Sequence, residues 1–208
     1  MSRHEKGKLY VISGPSGAGK GTISRALLEE ENIDLSISMT TRAPREGEEE
    51  GKHYYFVSKE DFKSNIENGK MLEWAQVYDN MYGTPKEAVL KKLERGHNVI
   101  LEIDIQGGLQ VKKAMPETVL IFILPPSLEV LRKRLVGRQT DAPEVIEKRL
   151  AETLNEIKLI GEYDYYIVNE EIDKAIQDAK DIMNAEAHRV PDKVKPIISI
   201  YEREKGDQ

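Results

Sequence analysis

The sequence predicts an α/β fold, a doubly wound parallel sheet carrying a small insertion, and three observations predict it. First, the glycine-rich loop Gly14-Pro15-Ser16-Gly17-Ala18-Gly19-Lys20-Gly21-Thr22 lies between a short apolar run, Leu9–Ser13, and a segment of helical spacing. Second, Asn98–Asp104 is an apolar run ending in carboxylates, as expected of a parallel strand buried on both faces. Third, Val119–Leu124 and Tyr165–Asn169 are further strand-like runs, and helical segments separate them all. Alternating strands and helices are the signature of parallel crossovers.

Composition narrows the function classes. At 208 residues, one α/β domain with insertions is expected in place of two separate domains. A net charge of −6 and a pI near 5.4 argue against nucleic acid or an anionic membrane as the main partner. The absence of cysteine excludes disulfides, thiolate catalysis and cysteine zinc sites. His4, His53, His97 and His188 have no metal-ligand spacing and read as surface histidines. The polar start and the short apolar run behind it fit neither a signal peptide nor a membrane span, so a soluble cytoplasmic protein is expected. Nothing in the sequence sets an oligomeric state.

A strand, a glycine loop and a helix start, in that order, make an anion site. The glycines let successive backbone N–H groups turn inward around a phosphate chain, and the helix start adds unpaired donors and a positive dipole end. Lys20 follows the loop, where its ammonium reaches the β- and γ-phosphates of a nucleotide. Gly21 stands where such loops usually place a magnesium-binding Ser or Thr, and Thr22 is the nearest substitute.

The first helix is expected over Lys20–Glu30 and a second strand over Leu35–Met39, where Leu35, Ile37 and Met39 alternate. A loop from Ser38 to Gly47 carries Arg42 and Arg45, and the acidic stretch Glu48-Glu49-Glu50 reads as a turn. His53–Val57 is rich in strand formers. Ser58 can cap a helix that carries Phe62 and Ile66 and stops at Gly69. Met71–Tyr78 and Met81–Gly83 form a strand and its return, so residues 38–83 read as a small, mostly antiparallel insertion. Thr84 as N-cap, Pro85 at N1 and Glu87 at N3 predict a helix reaching Gly96. Helices are further expected over Leu109–Ala114, Leu128–Val136, Pro143–Ile160 and Ile172–His188. The core is thus assigned to residues 1–37, 84–127 and 161–190, with a helical hairpin at 128–160 and a tail at 191–208 that has no assigned structure.

In such sheets the site forms at the carboxyl ends of the strands, which brings Glu102 and Asp104 to the same crevice as the glycine loop. A carboxylate there anchors Mg²⁺ through water, reads a base or stands in solvent. Arg42 and Arg45, with Ser38 and Thr41 beside them, suit a second anion, because guanidinium forks match phosphate oxygens. Two loop arginines alone are as readily solvated. The 128–160 hairpin carries Arg132, Arg134, Arg138 and Arg149 among many acids, and Arg134 and Arg138 could share a face. It reads either as a surface hairpin laced with ion pairs or as a hinged lid whose arginines reach the transferring phosphate. Taken alone, Glu73 beside Trp74 is an ordinary exposed glutamate. Tyr54, Tyr55, Tyr78 and Tyr82 read equally as core residues or phosphate donors.

Several short motifs appear together in order. They are the glycine loop to Lys20, Ser38-x-Thr-Thr-Arg42-x-Pro-Arg45-x-Gly47, Gly51-x-x-Tyr54, Glu73-Trp74-Ala75 and Tyr82-Gly83-Thr84. Leu101-Glu102-Ile103-Asp104-x-x-Gly107, Pro125-Pro126-Ser127, Arg134-Leu-x-Gly-Arg138, Lys148-Arg149 and Val168-Asn169 follow. From about Leu9 to His188 the chain resembles the guanylate kinases. That resemblance implies a P-loop NTPase-type fold with a lid, and transfer of the ATP γ-phosphoryl group to GMP with Mg²⁺, dGMP being a further candidate acceptor. It implies that Ser38, Arg42, Arg45, Tyr54 and Tyr82 hold the GMP phosphate, while Glu73, Thr84 and Asp104 read guanine. Residues Gly14 to Thr22 with Arg134 would bind ATP, Asn169 would lie near its adenine, and Lys20, Arg138 and Arg149 would stabilise the transferring phosphoryl. Glu102 replaces the aspartate expected there and keeps its charge; Thr22 and Glu102 are the candidates to reach Mg²⁺ through water. The alternatives are a phosphopeptide-binding module of the same fold and a same-fold kinase of a sugar phosphate. The complete P-loop and lid arginines speak against the first, and the Glu73/Thr84/Asp104 set speaks against the second.

Overall fold

The computed structural model describes residues 6–137, 143–190, 194, 198–199 and 201–202. The chain opens with β1 (Leu9–Ser13), α1 (Lys20–Leu27) and β2 (Ile33–Leu35). An insertion follows: β3 (Met39–Thr40), β4 (Tyr55–Phe56), α2 (Lys59–Glu67), β5 (Met71–Val77) and β6 (Asn80–Pro85). Next come α3 (Lys86–Glu94), β7 (Asn98–Glu102), α4 (Ile105–Ala114), β8 (Val119–Leu124), α5 (Leu128–Val136) and α6 (Pro143–Ile157). A 3₁₀ turn at Ile160–Glu162 leads into β9 (Tyr165–Val168) and α7 (Ile172–Ala187).

The main sheet has five parallel strands in the order β2-β7-β1-β8-β9. Its middle strand is buried at every position, and the period of two divides its side chains between two cores. Tyr10 and Ile12 pack with Ile23, Leu27, Ala175 and Ala179 under α1 and α7. Leu9 and Val11 pack with Val89, Leu93 and Val111 under α3 and α4. Burying such an aliphatic side chain is worth about 1.5–3 kcal/mol over leaving it exposed. This two-sided core holds β1 rigid, and the glycine loop departs from its end. The second sheet, β4-β3-β6-β5, is antiparallel except where β3 meets β4.

Several boundaries differ from the sequence expectations. The strand expected over Leu35–Met39 divides: Ile33–Leu35 joins the main sheet and Met39–Thr40 the second, so the alternation spans a crossing between sheets. Of His53–Val57 only Tyr55–Phe56 is strand. α1 ends at Leu27 and α6 at Ile157, each short of its expected end. Thr84 is not a helix cap. It lies within a strand pair, opposite Glu73, on which its hydroxyl is used, and Pro85, the last residue of β6, caps α3 through its backbone alone. The strand expected to reach Asp104 stops at Glu102, because Asp104 Oδ1 accepts the Gly107 N–H at 2.7 Å and starts α4 at Ile105, ahead of the expected Leu109. The Ser58 cap on α2 is present, accepting from the Asp61 N–H at 3.0 Å.

Candidate active site

The glycine loop wraps the amino end of α1. Gly17 and Gly19 take φ of 92° and 101°, a region that side-chain-bearing residues avoid, and Gly19 caps α1 with its backbone alone. Lys20 Nζ donates to the carbonyls of Gly14 at 2.6 Å and Pro15 at 3.1 Å, so its ammonium folds back over the loop. Ser16 is exposed while Gly14, Pro15, Gly17 and Ala18 are buried. A Cβ on Gly21 would stand 3.3 Å from Glu102 Oε1, so the missing side chain leaves room beside that carboxylate, and Thr22 follows on the same turn. Carboxylate and hydroxyl oxygens are hard donors that suit a Mg²⁺ ion already held by phosphates. No group of three His, Cys, Asp or Glu among the described residues is placed to hold a metal ion.

On the other side of the crevice two carboxylates flank one glycine. Glu73 on β5 is 7% exposed, unlike the solvated residue it resembles when read alone, and Thr84 Oγ1 on β6 donates to its Oε1 at 2.6 Å. A Cβ on Gly107 would lie 3.2 Å from Glu73 Oε2 and 3.5 Å from Asp104 Oδ1. Burial pushes the Glu73 carboxyl above its ordinary value, Thr84 opposes that, and the nearby Asp104 adds to it. Ser13 Oγ donates to the Asp104 carbonyl at 3.2 Å, which ties this corner to the end of β1. A cavity of about 280 Å³ opens here, lined by Ser36, Ser38, His53, Tyr54, Thr84 and Glu102 among others.

Arg42 forms the cationic wall. Its guanidinium makes a two-pronged pair with Glu48, at 2.8 and 2.9 Å, and lies over the Tyr54 and Phe56 rings at 5.5 and 6.0 Å. Tyr82 meets Tyr54 edge-on at 6.0 Å. The Arg42 guanidinium, then the Arg45 N–H, hold the Glu48 carboxyl down to about 2. Chemically, the carboxylate fills the arginine fork as a phosphate would. Arg45 contributes its backbone to this knot while its residue stays exposed. The sequence reading passed over Glu48 as part of an acidic turn; its position three residues after Arg45 was the available signal.

The helical hairpin packs on a small core of its own, Leu131, Leu135, Ile146 and Leu150. Arg132 pairs with Glu147 across the hairpin, as the ion-pair reading expects, and Arg149 Nη1 reaches Ser16 Oγ of the glycine loop at 3.4 Å. A Cβ on Gly17 would lie 2.9 Å from Leu131 Cδ1, so the loop's apex rests against α5. Arg134 Nη2 donates to the Asn169 carbonyl at 2.8 Å, and Asn169 Nδ2 donates to the Ala18 carbonyl at 2.7 Å. Arg138, expected on the same face as Arg134, lies outside the described residues.

Comparison with known proteins places the chain in a family and matches its fold. The family model for guanylate kinase matches residues 6–186. The guanylate kinase of Caldanaerobacter subterraneus is 54% identical over 191 residues, 91% of this chain and 93% of that protein. That of Clostridioides difficile is 50% identical over 201 residues, covering 96% and 98%. The crystal structure of guanylate kinase from Anaplasma phagocytophilum superposes with a TM-score of 0.70 at 38% identity, covering 89% of this chain and 88% of that one.

Proposed function

Because the chain belongs to the guanylate kinase family, and so transfers the γ-phosphoryl group of ATP to GMP, we propose how its residues divide that work. The insertion, residues 38–83, takes the acceptor. Ser38, Arg42, Arg45, Tyr54 and Tyr82 hold the GMP phosphate, with Glu48 keeping the Arg42 fork oriented. Glu73, Thr84 and Asp104 read guanine. The glycine loop, Gly14 to Thr22, takes the donor's phosphates, with Arg134 and Asn169 on the donor side. Lys20, Arg138 and Arg149 neutralise the charge on the phosphoryl group in transit, the last two from a lid at 128–160. Phosphoryl transfer needs positioning and charge stabilisation more than covalent help, and this inventory supplies both. Mg²⁺ brought in with ATP would supply charge neutralisation at the phosphates, with Thr22 and Glu102 placed to reach it through water.

The observation that carries the choice of acceptor is the buried Glu73 carboxylate, facing Asp104 across Gly107. Guanine presents two adjacent donors, N1–H and the 2-amino group, and a carboxylate accepts both. Adenine presents a lone pair at N1 and no 2-amino group, so the same carboxylate repels it. A buried site built on such bonds rejects the wrong base by about 10⁴-fold. The net charge of −6 and the lack of cysteine fit a cytoplasmic role in purine nucleotide metabolism, and no helix among the described residues is long and apolar enough to cross a membrane. Lys20→Met tests the donor half: kcat should fall by orders of magnitude while the fold and GMP binding persist. Wild-type turnover in that variant would contradict the assignment.

A further inference from the structure

Asn169 follows β9 at the carboxyl end of the main sheet and is 4% exposed. Three hydrogen bonds fix it. Its backbone N–H donates to the Leu124 carbonyl at 2.8 Å, at the end of β8. Its backbone carbonyl accepts from Arg134 on α5 at 2.8 Å. Its side-chain Nδ2 donates to the Ala18 carbonyl at 2.7 Å, inside the glycine loop and two residues before Lys20. The next residue, Gly19, has φ of 101°, and a Cβ there would overlap Asn169 Nδ2. The asparagine amide thus occupies space that only a glycine leaves open.

We propose that Asn169 is a positioning residue for the phosphate loop, acting on any bound triphosphate whatever its base. This rests on residues 14–22 being the donor-phosphate site. The partner at Ala18 is a carbonyl, so the contacting atom of Asn169 must be its amide nitrogen, and one of that nitrogen's two N–H groups is committed to the loop. Glycines with positive φ have several alternative conformations open to them. A strut on the Ala18–Gly19 peptide selects the conformer whose N–H groups turn inward, and apparent affinity falls in proportion as that conformer becomes less populated. Because the same residue accepts from Arg134, the strut also joins the loop to the first lid helix.

The test is Asn169→Ala against wild type, titrated calorimetrically with ATP and with inorganic tripolyphosphate, each with magnesium, and separately with GMP. Both polyphosphates should weaken by the same factor, roughly tenfold for a buried carbonyl that loses its partner. GMP affinity should match wild type, which shows that the fold is intact. An unchanged tripolyphosphate affinity, whether or not ATP weakens, would overturn the proposal and leave Asn169 a reader of adenine or a bystander. Parallel loss of GMP binding would overturn it too, as a general structural role. A wild type that fails to bind ATP would refute the donor-site reading itself, and the strut with it.

Discussion

Glu73 owes its chemistry to its neighbours. Thr84 across the strand pair and Gly107 at the start of α4 enclose a side chain that its local sequence presents as ordinary. Its folded value is raised above the unfolded one, so the folded state binds the proton more tightly. Glu73's own contribution to the stability of the ligand-free protein is therefore fully present below the ordinary glutamate range and is lost as pH rises through the raised value. GMP affinity should run the other way, since guanine needs the carboxylate: it should climb with pH through that window, and Glu73→Gln should flatten the climb. Glu73→Gln should also lower kcat/KM for GMP by about 5- to 150-fold, the cost of an unsatisfied buried group, while AMP loses a repulsion and suffers less. Arg42→Ala, on the phosphate side, should weaken both nucleotides alike. A GMP/AMP ratio that moves with Arg42→Ala and not with Glu73→Gln would reverse the assignment. The sequence alone could not show this burial, because the enclosing residues lie far along the chain. Only the family motifs singled Glu73 out.

At the scale of elements, the α5–α6 hairpin has a core apart from those of the main sheet. Leu131, Leu135, Ile146 and Leu150 join α5 to α6, while the hairpin meets the glycine loop through Gly17 and through Arg149 on Ser16. A hairpin with its own core can move as a body, as lids that gate phosphoryl transfer do. Arg149→Ala should accordingly depress kcat far more than GMP affinity. Calorimetry with GMP and no ATP checks this, and equal loss of GMP binding would place Arg149 in the acceptor site. The helices of this hairpin were legible because their apolar residues recur with helical period and Ser127 caps α5, its Oγ accepting the Val130 N–H at 3.1 Å. The start of α3 was misread for a physical reason. Thr84 has the chemistry of a cap, but it stays in the strand pair opposite Glu73, where its hydroxyl donates. The helix begins one residue later than expected, with Pro85 at the cap position. The jump between sheets after Leu35 was likewise invisible, since both short strands continue one alternation.

Across the whole molecule, a rigid two-sided core presents the phosphate loop after β1 and Asp104 after β7, and the second sheet brings Glu73 against α4. The fold class was readable because strands covered on both faces leave long apolar runs, as in β1 and β8. The contacts that convert fold into site, Glu48 on Arg42 and Asn169 on Ala18, join loops whose pairing no periodicity encodes. On the proposed division of residues, the site selects its acceptor monophosphate by the base. A coupled assay of ADP release with GMP, dGMP, AMP and a phosphorylated pentose as acceptors tests it most directly. GMP should turn over efficiently, with a kcat/KM for AMP lower by about 10⁴-fold and no turnover of the pentose phosphate. Turnover of AMP or of the pentose phosphate at a rate comparable with GMP would contradict it.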